Sequence, residues 1–164
     1  KNISYALSGV AAAVLLMVAL SLTGWFDREQ EVTVSLTADY GNRSEIVLPD
    51  GSTVKLNSGS EVTYAYNPQK KVREVRFQGE GYFDVSKSKR PFVVKMANGV
   101  EVKVLGTTFN LKAYPDDPTI RASLIEGHIE LEHQNDRLVM KAGEMAEFDK
   151  RTNRLKQVDD AINN

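Results

Sequence analysis

The sequence predicts an all-β fold, with antiparallel strands in a sandwich or a short solenoid-like arrangement, preceded by one transmembrane α-helix. Three observations carry this prediction. An uncharged apolar run opens the chain, from Asn2 to Phe26. From Glu31 onward the hydrophobic period changes to two, which is the mark of strands with one dry and one wet face. Turn signals then recur at short intervals: Pro49-Asp50-Gly51, Asn98-Gly99, Glu126-Gly127 and Gly143.

Residues 1–30 are read as the transmembrane helix and its flanks. The core of the run, Val10 to Leu22, is almost wholly Ala, Val, Leu and Met. About 20 apolar residues suffice to cross the hydrocarbon. Tyr5 lies near one end and Trp25-Phe26 at the other, as in an aromatic belt. Asp27, Arg28 and Glu29 then stop the run. A cleaved signal peptide has a shorter apolar region, of about 7–15 residues. A buried core helix would carry a polar stripe, and this run has none of substance. The span is therefore expected over residues 3 to 26, with the β domain outside the cytoplasm.

Residues 31–150 are read as the β domain. Ile46 and Leu48 alternate with Glu45 and Val47, and Val54 and Leu56 with Thr53, Lys55 and Asn57. Val75 and Phe77 alternate with Glu74, Arg76 and Gln78, and Phe83 and Val85 flank Asp84. Phe92, Val94 and Met96 form one face, and Val100, Val102 and Val104 another. Phe109 and Leu111, then Ile129 and Leu131, repeat the pattern. Register follows from the turns. A two-residue loop at Asn98-Gly99 would put Lys95 on a face with Val102, a charge in the core. A three-residue loop, Ala97 to Gly99, pairs Met96 with Val100, Val94 with Val102 and Phe92 with Val104, with Gly99 in the left-handed position. The same logic at Pro49-Asp50-Gly51 pairs Ile46 with Val54. Glu126-Gly127 fits either a two-residue hairpin loop pairing Leu124 with Ile129 or a bulge in a bending strand. Residues 151–164 are read as a polar C-terminal tail.

Chemistry-bearing constellations are sparse. The chain has 164 residues and a formal net charge of −1, a balance that argues against a nucleic-acid binder. With no cysteine there is no disulfide framework and no thiolate metal site. His128 and His133 are separated by an odd number, so on one straight strand they point to opposite faces; both are expected at the surface. Pro115-Asp116-Asp117-Pro118 lacks the ligand series of a calcium loop and reads as a solvated turn. Ser58, Ser60 and Ser86 have no nucleophile-elbow context, and Gly79, Gly81 and Gly106 precede no helix that would cradle a phosphate. No metal, no cofactor and no enzymatic turnover are expected. Tyr64, Tyr66 and Tyr82 fall beside polar neighbours and are candidates for a partner or sugar-stacking surface, set against ordinary packing in the core or at an edge.

Five stretches, taken in order, resemble the extracytoplasmic domain of FecR-type anti-sigma regulators. They are Arg43-Ser44-Glu45-Ile46-Val47-Leu48-Pro49-Asp50-Gly51-Ser52 with Val54-Lys55-Leu56-Asn57, then Gly79-Glu80-Gly81-Tyr82-Phe83-Asp84-Val85, Pro91-Phe92-Val93-Val94, Val104-Leu105-Gly106-Thr107-Thr108-Phe109-Asn110, and Glu126-Gly127. The resemblance covers roughly residues 40 to 150. Gly81 departs from it, since the family more often has Ala there. Pro49, Asp50, Gly51, Gly79, Asp84 and Gly127 are the motif positions it marks as turns. It implies a single-pass protein of the bacterial inner membrane with its β domain in the periplasm. Its implied partners are the signalling domain of an outer-membrane TonB-dependent transducer and, through a cytoplasmic segment missing here, a sigma factor. The chain opens on Lys1 rather than Met and is read as a fragment; a further C-terminal module frequent in the family is also expected to be missing. The resemblance also implies single-turnover self-cleavage between Gly106 and Thr107, set against a bulge between two strands. From a different class, a membrane-anchored carbohydrate-binding or structural β module remains the alternative.

Overall fold

The structure, a computed structural model, describes residues 14, 16–18, 32–66 and 71–158. The chain divides into two compact units, Lys1–Gln30 and Glu31–Asn164. In the first unit Val14, Leu16, Met17 and Val18 are helical and exposed. Among the described residues no helix is long and apolar enough to cross a membrane. The span expected over residues 3 to 26 lies largely outside them.

The second unit is all-β. Its described residues form thirteen strands: β1 (Val32–Ala38), β2 (Ser44–Val47), β3 (Thr53–Leu56), β4 (Ser60–Tyr66), β5 (Arg73–Asp84), β6 (Phe92–Lys95), β7 (Val100–Val104), β8 (Thr108–Ala113), β9 (Thr119–Glu126), β10 (His128–His133), β11 (Asp136–Lys141), β12 (Met145–Asp149) and β13 (Arg154–Val158). One continuous sheet folds into two halves at β5, the strand common to both. One half runs β1-β4-β5-β6-β7-β10-β11, the other β2-β3-β5-β8-β9-β12-β13. All pairs are antiparallel except β5 with β6. The far edges β11 and β13 approach one another, so the sheet is nearly closed, like a barrel.

The fold turns at Gly79. Its φ is +100°, and a Cβ there would lie 2.3 Å from Ser60 Oγ and 2.6 Å from Ser60 Cα. Only glycine fits both constraints. The Ser60 hydroxyl holds the bend from both sides: it accepts from the Glu80 amide at 2.8 Å and donates to the Glu80 carbonyl at 3.0 Å. Before the bend β5 pairs with β4 and β6; after it, with β3 and β8. Alternate residues Val75, Phe77 and Phe83 stay buried throughout, so one dry face lines both halves. Phe83 stacks on Phe109 and meets Phe77 edge-on.

Two registers agree with the sequence reading. Phe92 faces Val104 and Val94 faces Val102 across a tight turn at Ala97–Gly99, with Asn98 at φ +66° and Gly99 at φ +73°. Ile46 faces Val54 across a turn with Gly51 at φ +82°. The hairpin option at Glu126-Gly127 is overturned. Strands β9 and β10 do not pair: β9 lies between β8 and β12, β10 between β7 and β11. Gly127, at φ +96°, carries the chain from one half to the other. The polar tail is also corrected in part, because Arg154–Val158 is a strand paired with β12 and Leu155 packs on the core. As an edge strand it exposes Arg154, Lys156 and Gln157, which is why it read as a tail.

Across β9, β12 and β13, Glu147 is bonded by Arg121 at 2.8 Å and Lys156 at 3.1 Å. The hydrogen bond from Arg121, then that from Lys156, holds its carboxyl below the usual value of 4.5. A carboxyl depressed in the folded state contributes stability above its unfolded pKa, and loses it as pH falls through the folded one. The Glu147→Gln variant is therefore expected to be less stable than the parent at pH 7 and to match it at low pH. Urea titrations at pH 7 and pH 3 check this; a deficit of equal size at both would refute the linkage.

Candidate functional site

The strands place four connecting segments at one end of the sandwich. They are the β2–β3 turn, the β5–β6 segment, the β7–β8 link and the β9–β10 corner at Gly127. Of the motif positions, Pro49, Asp50, Gly51, Asp84 and Gly127 lie here. Gly79 does not: it sits inside β5 at the fold of the sheet.

Asp50 organises the first turn. Its carboxylate accepts from the Ser52 amide at 3.1 Å and the Ser52 hydroxyl at 2.8 Å. Its main partner is Arg73, whose Nη1 lies 2.7 Å from Asp50 Oδ2, the two side chains only 7 % and 9 % exposed. Arg73 also donates to the Ser86 carbonyl (3.0 Å) and twice to the Arg90 carbonyl (3.1 and 2.9 Å), and it lies over the Phe92 ring at 5.3 Å. The Ser86 amide in turn donates to Ser52 Oγ at 3.1 Å. One buried guanidinium thus ties the β2–β3 turn to the β5–β6 segment through planar, multidentate donation that an ammonium could not reproduce. The sequence reading missed Arg73. Its signal was parity: Arg73, Val75 and Phe77 share one face of β5.

The second cluster is built on backbone. The Val85 amide donates to the Thr107 carbonyl (3.1 Å) and the Ser88 amide to the Leu105 carbonyl (2.8 Å). Thr107 is buried, and its hydroxyl donates to the His128 carbonyl at 3.0 Å. A Cβ on Gly106 would fall 2.4 Å from Lys87 Cγ and 2.7 Å from Lys87 Cα; one on Gly127 would fall 2.9 Å from Thr107 Oγ1 and 3.0 Å from the Gly106 carbonyl oxygen. Gly106 is thus required for close approach, not for a left-handed backbone. Beside this cluster lies an open, mostly apolar groove of about 430 Å³, with Pro91, Leu105 and Val139 on its walls. Between β8 and β9 a bulge opposite Thr108 and Phe109 sets Ile125, 53 % exposed, outside the ladder.

The three tyrosines do not form one surface. Tyr64 is fully buried and stacks on Phe92, as its shared parity with Val62 requires. It is removed from any partner face. The side chain of Tyr66 lies outside the described residues. Tyr82 is exposed on an open groove of about 470 Å³ with Arg43, Lys55, Asn57, Glu80 and Asn110. His128 is exposed, but His133 is buried against Phe148, ring centroids 4.5 Å apart, contrary to the surface reading. Its parity with Ile129 and Leu131 puts it on the dry face of β10.

A family model described as FecR protein matches residues 34–130, from β1 to the first half of β10. Two crystal structures, each of a protein assigned as an anti-sigma factor from Parabacteroides distasonis ATCC 8503, resemble the fold. The one at 2.50 Å resolution gives a TM-score of 0.74 at 26 % identity over 79 % of this chain and 61 % of that chain. The one at 1.65 Å gives 0.73 at 26 % identity over 77 % and 60 %. The chain therefore spans about three fifths of those proteins. No curated protein sequence matches it.

Proposed function

The chain belongs to the FecR family, and from that premise we propose that it is the extracytoplasmic part of a membrane-anchored anti-sigma regulator. In this reading residues 3 to 26 cross the inner membrane once and the β unit lies in the periplasm. There it receives a signal from a TonB-dependent transducer and passes it to a sigma factor bound by a cytoplasmic segment of the parent protein. The observation that carries the reading is the match of family and fold over the β unit, together with the likeness to an anti-sigma factor. The buried Arg73–Asp50 pair, which ties the Pro49-Asp50-Gly51 motif turn to the β5–β6 segment, adds a physical reason. A relay needs an element whose equilibrium the partner biases, and in this reading that element is the β2–β3 turn where the Arg73–Asp50 pair ties it to the β5–β6 segment. Affinity purification of the full-length parent from membranes tests it. The transducer's signalling domain and a sigma factor are expected to co-purify; bound glycan in place of both, at the Tyr82 groove, would favour a carbohydrate-binding module instead.

We also propose that Gly106–Thr107 is a site of single-turnover self-cleavage. The Thr107 hydroxyl oxygen attacks the Gly106 carbonyl carbon, the C–N bond breaks, and the hydroxyl proton passes to the released Thr107 amine. Water then splits the ester, leaving a carboxylate on Gly106. The close approach of Gly127 to the Thr107 hydroxyl and to the Gly106 carbonyl oxygen supports this reading. The hydrogen bond from Thr107 to the His128 carbonyl fixes the hydroxyl but supplies no base. Mass spectrometry of the purified full-length protein is expected to show two fragments meeting at this bond, lost in Thr107→Ala and kept in Thr108→Ala. A single intact chain after long incubation would leave only the structural role.

A further inference from the structure

The sheet ends on four edge strands, β1 and β11 in one half, β2 and β13 in the other. Exposed edges are templates for pairing, and proteins blunt them with charge, proline or bulges. Three of these edges carry charge: Glu45 on β2, Asp136, Arg137 and Lys141 on β11, Arg154 and Lys156 on β13. The fourth carries none. The sequence of β1 is Val-Thr-Val-Ser-Leu-Thr-Ala, without charge or proline, and its ladder with β4 is regular over all seven residues. Among the described residues it is paired on that side alone. Thr33, Ser35 and Thr37 are exposed on one face; Val34 and Leu36 lie half-buried on the other.

The strand is also its own complement. Turned antiparallel about Ser35, it sets Thr33 opposite Thr37, Val34 opposite Leu36, Val32 opposite Ala38, and Ser35 opposite itself. Every pair then matches in polarity, and Thr–Thr pairs are favourable across antiparallel strands. A slip of one residue would set Ser35 opposite Leu36 and mismatch every pair. We propose that β1 is a homodimer interface, in which two copies join edge to edge about a two-fold axis through Ser35 and continue one sheet across both. The arrangement is closed and self-limiting, as an isologous contact must be.

The chain has no cysteine, so each cysteine introduced reports alone. Directly opposed residues in an antiparallel pair have Cα atoms about 4.5–5.5 Å apart, within disulfide reach. The full chain in detergent, carrying Ser35→Cys, is expected to form a disulfide dimer under mild oxidation. Thr33→Cys and Thr37→Cys chains are expected to cross-link when mixed but not alone, since like positions then lie about 13 Å apart along the strand. Thr63→Cys, one strand further in, is the control; its two copies would be about 14 Å apart. Ser35→Lys, which opposes two like charges at the axis, is expected to lower the dimer mass to that of the monomer. The proposal is overturned if Ser35→Cys stays monomeric, if Thr63→Cys cross-links as fast, or if Ser35→Lys leaves the dimer intact.

Discussion

Replacing Arg73 with Ala is expected to destabilise the β unit by about 3–5 kcal/mol, because it leaves the Asp50 carboxylate buried without its counter-ion. The same change removes the donors to the Ser86 and Arg90 carbonyls, so the β5–β6 segment loses its tie to the body of the sandwich. Lysine restores the charge but not the fork, and Arg73→Lys is expected to fall between the two. The double variant Arg73→Met with Asp50→Leu separates the causes. If the cost arises from an uncompensated charge, the double change should recover a good part of it. Urea titration of all four proteins reads the outcome. A loss under about 1 kcal/mol in Arg73→Ala would mean that water already reaches the pair.

Replacing Val102 with Asp is expected to cost several kcal/mol, about 4 or more. Val102 is fully buried between Val94 on β6 and Leu131 on β10, so the new carboxylate finds no partner and no water. The neighbouring residue is the contrast. Lys103 points the other way and pairs with Glu132 on the half-exposed outer face. Exposed pairs contribute little, so Lys103→Ala should cost about half a kcal/mol. Equal melting temperatures for the two variants would contradict the register of β6, β7 and β10.

How legible the fold was depended on whether local pattern and long-range context agreed. Phe92–Met96 and Val100–Val104 could be registered from sequence because only one loop length keeps Lys95 out of the core. Glu126-Gly127 could not. A glycine with positive φ serves a hairpin and a corner equally well, and only the packing of β9 beside β12, and of β10 beside β7, decides between them. Parity carried more than was drawn from it. It placed Val75 and Phe77 inside, yet Arg73, Tyr64 and His133 lie on the same dry parities as their apolar neighbours and are buried too. Residue type suggested surface, and strand period overruled it. The Pro49-Asp50-Gly51 turn was visible as a turn, but its tie to Arg73 was not, because Asp50 and Arg73 are 23 residues apart and joined only by the fold.

Strand β5 has a consequence for how the molecule comes apart. In a sandwich built from two separate sheets, one sheet can open while the other holds. Here every residue from Arg73 to Asp84 is central to one half or the other, and the two groups are covalently continuous through Gly79. Opening either half strips hydrogen bonds from the strand that anchors its neighbour. Amide exchange should therefore find no partially opened form with one half intact. The β5 amides should exchange only by global unfolding, while the outer strands β2 and β13 exchange by local fraying. A pull or a bound partner acting at one margin is then felt as a change in the stability of the whole unit, which lets a small surface event carry across the domain.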